Sequence, residues 1–159
     1  DSTAFRMTSW TMEAWINPSN LTGVRTIVGK VSQGKDFALV LNGNKPAVLI
    51  YQGGRQYVSS PDALTTGTWY HVAGVYDPSS GKVMLYVDGT KKAEAIWTPD
   101  TSNTDPLLIG RSNCCSGEAF LGTIDDVRIW NVVRSATGEM SAIGVAEVMA
   151  TLERGCAEQ

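Results

Sequence analysis

Apolar and polar positions alternate along most of this chain, in short segments separated by turn residues, a period of two that predicts β-strands. Ten such segments stand out: Met12 to Asn17, Thr26 to Val31, Asp36 to Asn42, Ala47 to Tyr51, Gln56 to Ser59, Trp69 to Tyr76, Val83 to Val87, Lys91 to Ile96, Leu107 to Gly110 and Ala119 to Val132. Asn42 to Asn44 and Gln52 to Gly54 supply Asn and Gly where a reversing chain needs positive φ, so residues 36–59 read as a meander. Asp77-Pro-Ser-Ser-Gly81 predicts one hairpin turn and Asp88-Gly89 a second. A strand about every ten residues suits an antiparallel sandwich.

The last strand breaks the simple alternation. Within FLGTIDDVRIWNVVRS, Phe120 to Ser135, the apolar residues Ile124, Val127 and Ile129 cannot all share a face on a regular strand, so a β-bulge is expected at Asp125 and Asp126. From Ser141 the period changes: Val145, Val148, Met149 and Leu152 follow a helical spacing and Gly155 could close the last turn. This predicts a C-terminal amphipathic helix of about fourteen residues.

That final strand, the hairpin WYHVAGVYDPSSGKVMLYVDGT (Trp69 to Thr90), TMEAWINPSN (Thr11 to Asn20) and LLIGRS (Leu107 to Ser112) together resemble the laminin-G-like jelly roll of the concanavalin A-like lectin and glucanase superfamily. The resemblance covers Thr8 to Ser135. It implies two curved antiparallel sheets face to face, an extracellular carbohydrate-binding or adhesion role, and in many members a structural calcium. The expected layout is a jelly roll over residues 1–135 and a helical extension over 136–159. Relative to the family, the extension is additional and the opening strand is expected to be missing. An open sheet edge would follow, covered by the helix or by a second subunit.

Composition narrows the alternatives. A chain of 159 residues fits one domain and can build a core without disulfides. Sixteen glycines with only 18% charged residues fit many strands and tight turns better than a helical bundle. The net charge is -3, with nine Lys or Arg against six acids up to Lys92 and four against ten beyond it. No basic run or aromatic ladder favours nucleic acid. No apolar run approaches a membrane span, and no signal peptide is visible.

The candidate chemistry points to binding. Asp125 and Asp126, as strand neighbours, diverge to opposite faces and do not form a glycosidase dyad. Glu13, Asp36, Asp77 and Asp88 are isolated, and Glu13 reads as a polar residue of the sheet surface. His71, the sole histidine, lies mid-strand, which disfavours a multi-histidine metal site and reads as packing. For calcium, Asp125 is the first choice of ligand, against the alternative that it only holds the bulge. The segment DTSNTD, Asp100 to Asp105, lacks a dedicated calcium-loop pattern and reads as a solvated turn.

Sugar-binding surfaces pair a flat aromatic with hydroxyl-binding polar groups. Tyr51, Gln52, Arg55 and Tyr57 surround the Gly53-Gly54 turn, Trp97 stands in a polar loop, and Arg111 and Asn113 precede a cysteine loop. These seven are the candidate ligand-binding residues. Trp10, Trp15, Trp69 and Trp130 sit in strand patterns and are expected to pack. Cys114, Cys115 and Cys156 permit a staple to the C-terminal helix, a vicinal ring, or three free thiols. Zinc is disfavoured because adjacent cysteines seldom chelate one ion together.

The sequence therefore predicts an all-β, two-sheet antiparallel jelly-roll sandwich with a C-terminal helix. Its expected role is a non-catalytic carbohydrate-binding or adhesion module outside the cytoplasm, with a glycan or polysaccharide as partner. A protein-interaction or assembly domain, with a homo-oligomer or protein partner at the open edge, is the main alternative; a small hydrolase or lyase on the same scaffold is the other.

Overall fold

The computed structural model describes residues 7–31, 37–99 and 104–134. The ten strands are β1 (Trp10–Pro18), β2 (Val24–Lys30), β3 (Phe37–Asn42), β4 (Lys45–Tyr51), β5 (Arg55–Ser59), β6 (Tyr70–Asp77), β7 (Lys82–Val87), β8 (Thr90–Ile96), β9 (Leu108–Ile109) and β10 (Gly122–Trp130). All ten predicted segments form strands, the last shorter than expected at both ends. They build two antiparallel five-stranded sheets, ordered β10-β1-β6-β7-β8 and β5-β4-β3-β2-β9. The predicted C-terminal helix lies outside the described residues. Among the described residues, no helix is long and apolar enough to cross a membrane.

Alternation decides what each sheet buries. Along β1, Trp10, Met12, Ala14 and Ile16 are fully buried and point between the sheets. They meet Phe37, Leu39, Leu41, Val48 and Ile50 from β3 and β4. The Trp10 indole stacks on Phe37 of the opposite sheet at 5.7 Å between centroids and tilts against Tyr76 of its own sheet at 6.1 Å. β3 and β4 are apolar on both sides because their outer residues are also covered. Ala38, Val40, Ala47 and Leu49 are fully buried in a second cluster with Val31, against which Val24, Tyr57 and Cys114 pack.

The expected bulge forms, one residue further along than the Asp125–Asp126 pair. Glu13 pairs with Arg128 and Trp15 with Asp125, so Ala14 alone faces both Asp126 and Val127. Asp126 takes a left-handed φ of 50°, and its N–H donates to Asp125 Oδ1 at 2.8 Å. The extra residue restores phase, so Ile124, Val127 and Ile129 all pack toward the core. At the β7–β8 turn, Asp88 and Gly89 both have positive φ, 49° and 73°, as a tight hairpin requires.

Among the described residues β1 is flanked by β10 and β6, and the outermost strands are β10 and β8 in one sheet and β5 and β9 in the other. Both edges of the first sheet carry charge. On β8, Lys91 and Glu94 pair at 2.6 Å, and Lys92 reaches Asp62 at 2.9 Å. On β10, the bulge and its aspartates break the regular ladder. Charge and bulges at an edge disfavour pairing with another chain.

The start of β10 approaches β1 so closely that only glycine fits. A Cβ on Gly122 would lie 2.2 Å from the Asn17 carbonyl oxygen and 2.9 Å from Pro18 Cα, at φ 140°. Gly122→Ala is expected to cost about 2–4 kcal/mol in urea denaturation. Gly53→Ala, where φ is 67° and no heavy atom lies within 4 Å, is expected to cost about 1 kcal/mol. Equal costs for the two would mean that conformation alone, without the close approach, explains Gly122.

Candidate functional site

Because Trp10, Met12, Ala14 and Ile16 fill the inner side of β1, the intervening Glu13 and Trp15 must stand on the outer face of the first sheet. Directly paired residues share a face, so Trp15 sits between Asp125 of β10 and His71 of β6, and Glu13 sits between Arg128 and Ala73. Trp15 is 41% exposed, with its ring edge-on to His71 at 5.4 Å and 62°. It is an open aromatic surface in the middle of a strand.

Glu13 is the hub beneath it. Trp130 Nε1 donates to Glu13 Oε1 at 3.2 Å, and His71 Nε2 lies 3.5 Å from Oε2. Arg128 and Arg134 approach Oε1 at 3.9 and 4.0 Å. The Arg134 guanidinium covers the Trp130 ring at 4.2 Å from its centroid, a cation–π contact. Arg128 also binds Asp126 at 2.7 Å.

The backbone holds these groups in place. Arg134 N–H donates to Thr11 Oγ1 at 3.0 Å, and the Thr11 hydroxyl donates to the Val132 carbonyl at 2.9 Å. His71 N–H donates to Asp88 Oδ1 at 2.9 Å. The result is a fixed row of alternating charge beside an exposed indole.

The predicted ligand-binding residues divide differently. Arg55 and Tyr57, on β5, meet Cys114, Cys115 and Glu118 on the outer side of the second sheet. Arg55 forms an ion pair with Glu118, and Arg55 Nη2 also donates to Cys114 Sγ at 3.2 Å and Cys115 Sγ at 3.7 Å. Its hydrogen bond to Glu118 raises the Arg55 guanidinium above its ordinary value. Tyr57 packs on the apolar cluster of that face. Tyr51 pairs with Arg55 across the hairpin, and Gln52 is exposed in its turn. Arg111 is exposed, whereas the Asn113 amide donates to the Pro106 carbonyl at 2.9 Å and so ties its own loop.

Two tryptophans differ in exposure from expectation. Trp97, expected in a solvent-facing loop, is partly buried and packs against the main core, with its backbone N–H donating to the Gly81 carbonyl at 2.9 Å. Trp15, expected to pack, is exposed. Trp69, also expected to pack, is 44% exposed just before β6. The signal for Trp15 was present in WTMEAWI, where inward Trp10, Met12, Ala14 and Ile16 leave the odd positions outside.

Asp125 is exposed opposite Trp15, with Oδ1 committed to the Asp126 N–H. Among the described residues it belongs to no group of three or more His, Cys, Asp or Glu donors; the group of that kind is Cys114, Cys115 and Glu118. Cys114 and Cys115 are free thiols, not a vicinal ring, and Cys156 lies outside the described residues.

This sandwich and these strand motifs define a lectin-like β-sandwich. The chain belongs to the Concanavalin A-like lectin/glucanases superfamily, whose laminin-G-type family model matches residues 1–138. A Bacteroides ovatus protein, provisionally described as carbohydrate binding, is 30% identical with a TM-score of 0.70 over 83% of this chain and 40% of its own. This chain thus spans about two fifths of that relative. The carbohydrate-binding module CBM40 of the Ruminococcus gnavus IT-sialidase, bound to alpha2,3 sialyllactose, has a TM-score of 0.73 at 14% identity over 85% of this chain and 82% of its own. Domain 4 of AbnA, an extracellular arabinanase of Geobacillus stearothermophilus, in complex with arabinotriose, has a TM-score of 0.69 at 22% identity over 83% of this chain and 65% of its own. The last two likenesses establish the fold alone.

The hub and the platform separate by stability. Glu13→Ala leaves the Trp130 N–H without its acceptor and removes the carboxylate that Arg128 and Arg134 approach, and is expected to cost about 1–3 kcal/mol in chemical denaturation. Trp15→Ala removes a half-exposed ring and is expected to cost about 1 kcal/mol or less. A Glu13→Ala variant as stable as the parent would show that Glu13 does not organise the face.

Proposed function

We propose that this protein is a non-catalytic carbohydrate-binding module that receives a pyranose-containing glycan on the outer face of its first sheet. The observation that carries this reading is the exposed Trp15 indole between Asp125 and His71, beside the ordered Glu13–Arg128–Arg134 row. An indole face packs against the apolar C–H side of a sugar ring, and such contacts bury large area at little entropic cost. Asp125 accepts from sugar hydroxyls, and His71 and Arg128 border the same ring. The fold shared with modules described as binding sialyllactose and arabinotriose supports a glycan as the ligand class.

Binding without hydrolysis fits the carboxylates. Glu13 is held by Trp130, His71 and two arginines, and Asp125 and Asp126 are turned to the bulge backbone and to Arg128. None of these is arranged as an opposed acid and nucleophile across a cleft. With a glycan of this kind as its ligand, the module would act outside the cytoplasm. A protein-interaction role would draw on other exposed apolar residues, but Ile96 and Leu121 flank opposite edges of the first sheet and do not merge into one patch.

A glycan array probed with the purified protein tests the proposal. At least one pyranose glycan is expected to bind, with affinity unchanged by chelator. Trp15→Ala is expected to weaken it by about tenfold or more while leaving the melting temperature near that of the parent. Binding that survives Trp15→Ala, or no glycan bound, would overturn it; loss on chelation would instead return calcium to the site.

A further inference from the structure

Trp69 is a second exposed indole that the reading above leaves unused. On β6, Tyr70 packs against the core and Val72 is fully buried, so the alternate positions Trp69 and His71 turn outward. His71 lies directly opposite Trp15 of β1, which makes Trp69, two residues earlier, the diagonal neighbour of Trp15. Backbones placed this way are about 7–8 Å apart, still within reach of aromatic side chains. That span is comparable to one pyranose ring with its glycosidic oxygen. Both indoles are open to water, at 41% for Trp15 and 44% for Trp69.

The turn that presents Trp69 is tied down on both sides. Gly67 N–H donates to the Pro18 carbonyl at 2.9 Å, which fastens the approach to β6 to the end of β1. The Tyr70 hydroxyl accepts from Thr65 N–H at 3.1 Å and bonds the Thr65 hydroxyl at 3.0 Å, which in turn bonds the Thr68 hydroxyl at 3.1 Å. An aromatic surface fixed in advance binds with less ordering cost than one on a loose loop.

Polar groups complete the strip. Across β10, β1 and β6 one row reads Asp125, Trp15 and His71. In the next row Thr123 pairs with Asn17, and the β1–β6 register carried one step further brings Asn17 beside Trp69. Thr123 is exposed and Asn17 partly so. A carboxamide and a hydroxyl each both donate and accept, as sugar hydroxyls require. We propose that Trp15 and Trp69 are two subsites of one extended site, whose ligand is a linear oligosaccharide of two or more linked pyranose units. One ring packs on each indole, with Asn17, Thr123 and Asp125 binding hydroxyls alongside. A single sugar covers only one indole, so the second subsite selects for chain length. This inference rests on the glycan-face reading above.

Titration of the full chain, followed by NMR, with linear gluco-, manno-, galacto- and xylo-oligosaccharides of one to four units provides the test. The parent is expected to bind at least one series, with affinity rising about tenfold or more from one unit to the longer members. Trp69→Ala should remove that rise while leaving single-sugar affinity and the melting temperature near those of the parent, and Trp69→Phe should keep part of it. Trp15→Ala should weaken every length. Equal affinity for all lengths in the parent, or an undiminished rise in folded Trp69→Ala, would overturn the second subsite while leaving the first. No series bound, or binding that survives Trp15→Ala, would sink the glycan face and this inference together. Should Trp69→Ala fail to fold, Asn17→Ala makes the same comparison: a loss of about threefold or more confined to the longer ligands is expected, and an unchanged rise counts against the proposal. A dimer in sedimentation velocity that Trp69→Ala dissolves would show a second copy covering the indole, and would also overturn it.

Discussion

The structure depends on one constraint, the seating of Trp10 between the sheets. Its indole is fully buried, stacked on Phe37 across the gap and tilted against Tyr76 beside it. That contact joins the two layers and fixes the inward side of β1, since a shift of one residue would bring Trp10 out and Glu13 in. Burying an unpaired carboxylate would cost several kcal/mol, so the register is strongly determined. Glu13 and Trp15 face solvent as the consequence, and the candidate glycan face exists because the opposite side of the same strand is full.

β10 extends that order. Without the bulge at Asp126 and Val127, the inward row of Ile124, Val127 and Ile129 would fall out of phase with β1. With it, Arg128 and Trp130 arrive on the outer face, where both meet Glu13. The paired aspartates serve first as a structural device, and Asp125 acquires its place beside Trp15 through the same register. Fold and site are therefore consequences of one pairing, not separate features.

The two outer faces differ in kind. The first sheet presents tryptophan, histidine and a row of ion pairs to water. The second buries small and branched residues, Ala38, Val40, Ala47 and Leu49, and its polar chemistry gathers at Arg55, Glu118 and the two thiols. Among the described residues, the outer face of the first carries the exposed indole of Trp15. The residues grouped around the Gly53-Gly54 turn in the sequence do include a genuine cluster, since Arg55 and Tyr57 both reach the cysteine loop's side of the sheet. It is a cluster of ion pair, sulfur and packing.

The sequence by itself determined the ten strands, the turns, the bulge and the superfamily, because these follow from period-two alternation, glycine and aspartate at left-handed positions, and local motifs. It also held the orientation of Trp15, through the parity of β1. What it did not contain was which neighbours would meet. The hub at Glu13 on β1 joins His71 of β6 and, more than a hundred positions along the chain, the end of β10, and a local pattern cannot encode such distances. Whether Trp97 met water or core depended on what packed beside the end of β8, and that Arg55 would reach both Cys114 and Cys115 depended on its arriving from another strand. Tertiary structure decided these because burial and pairing are settled by what packs from elsewhere, not by the residues on either side.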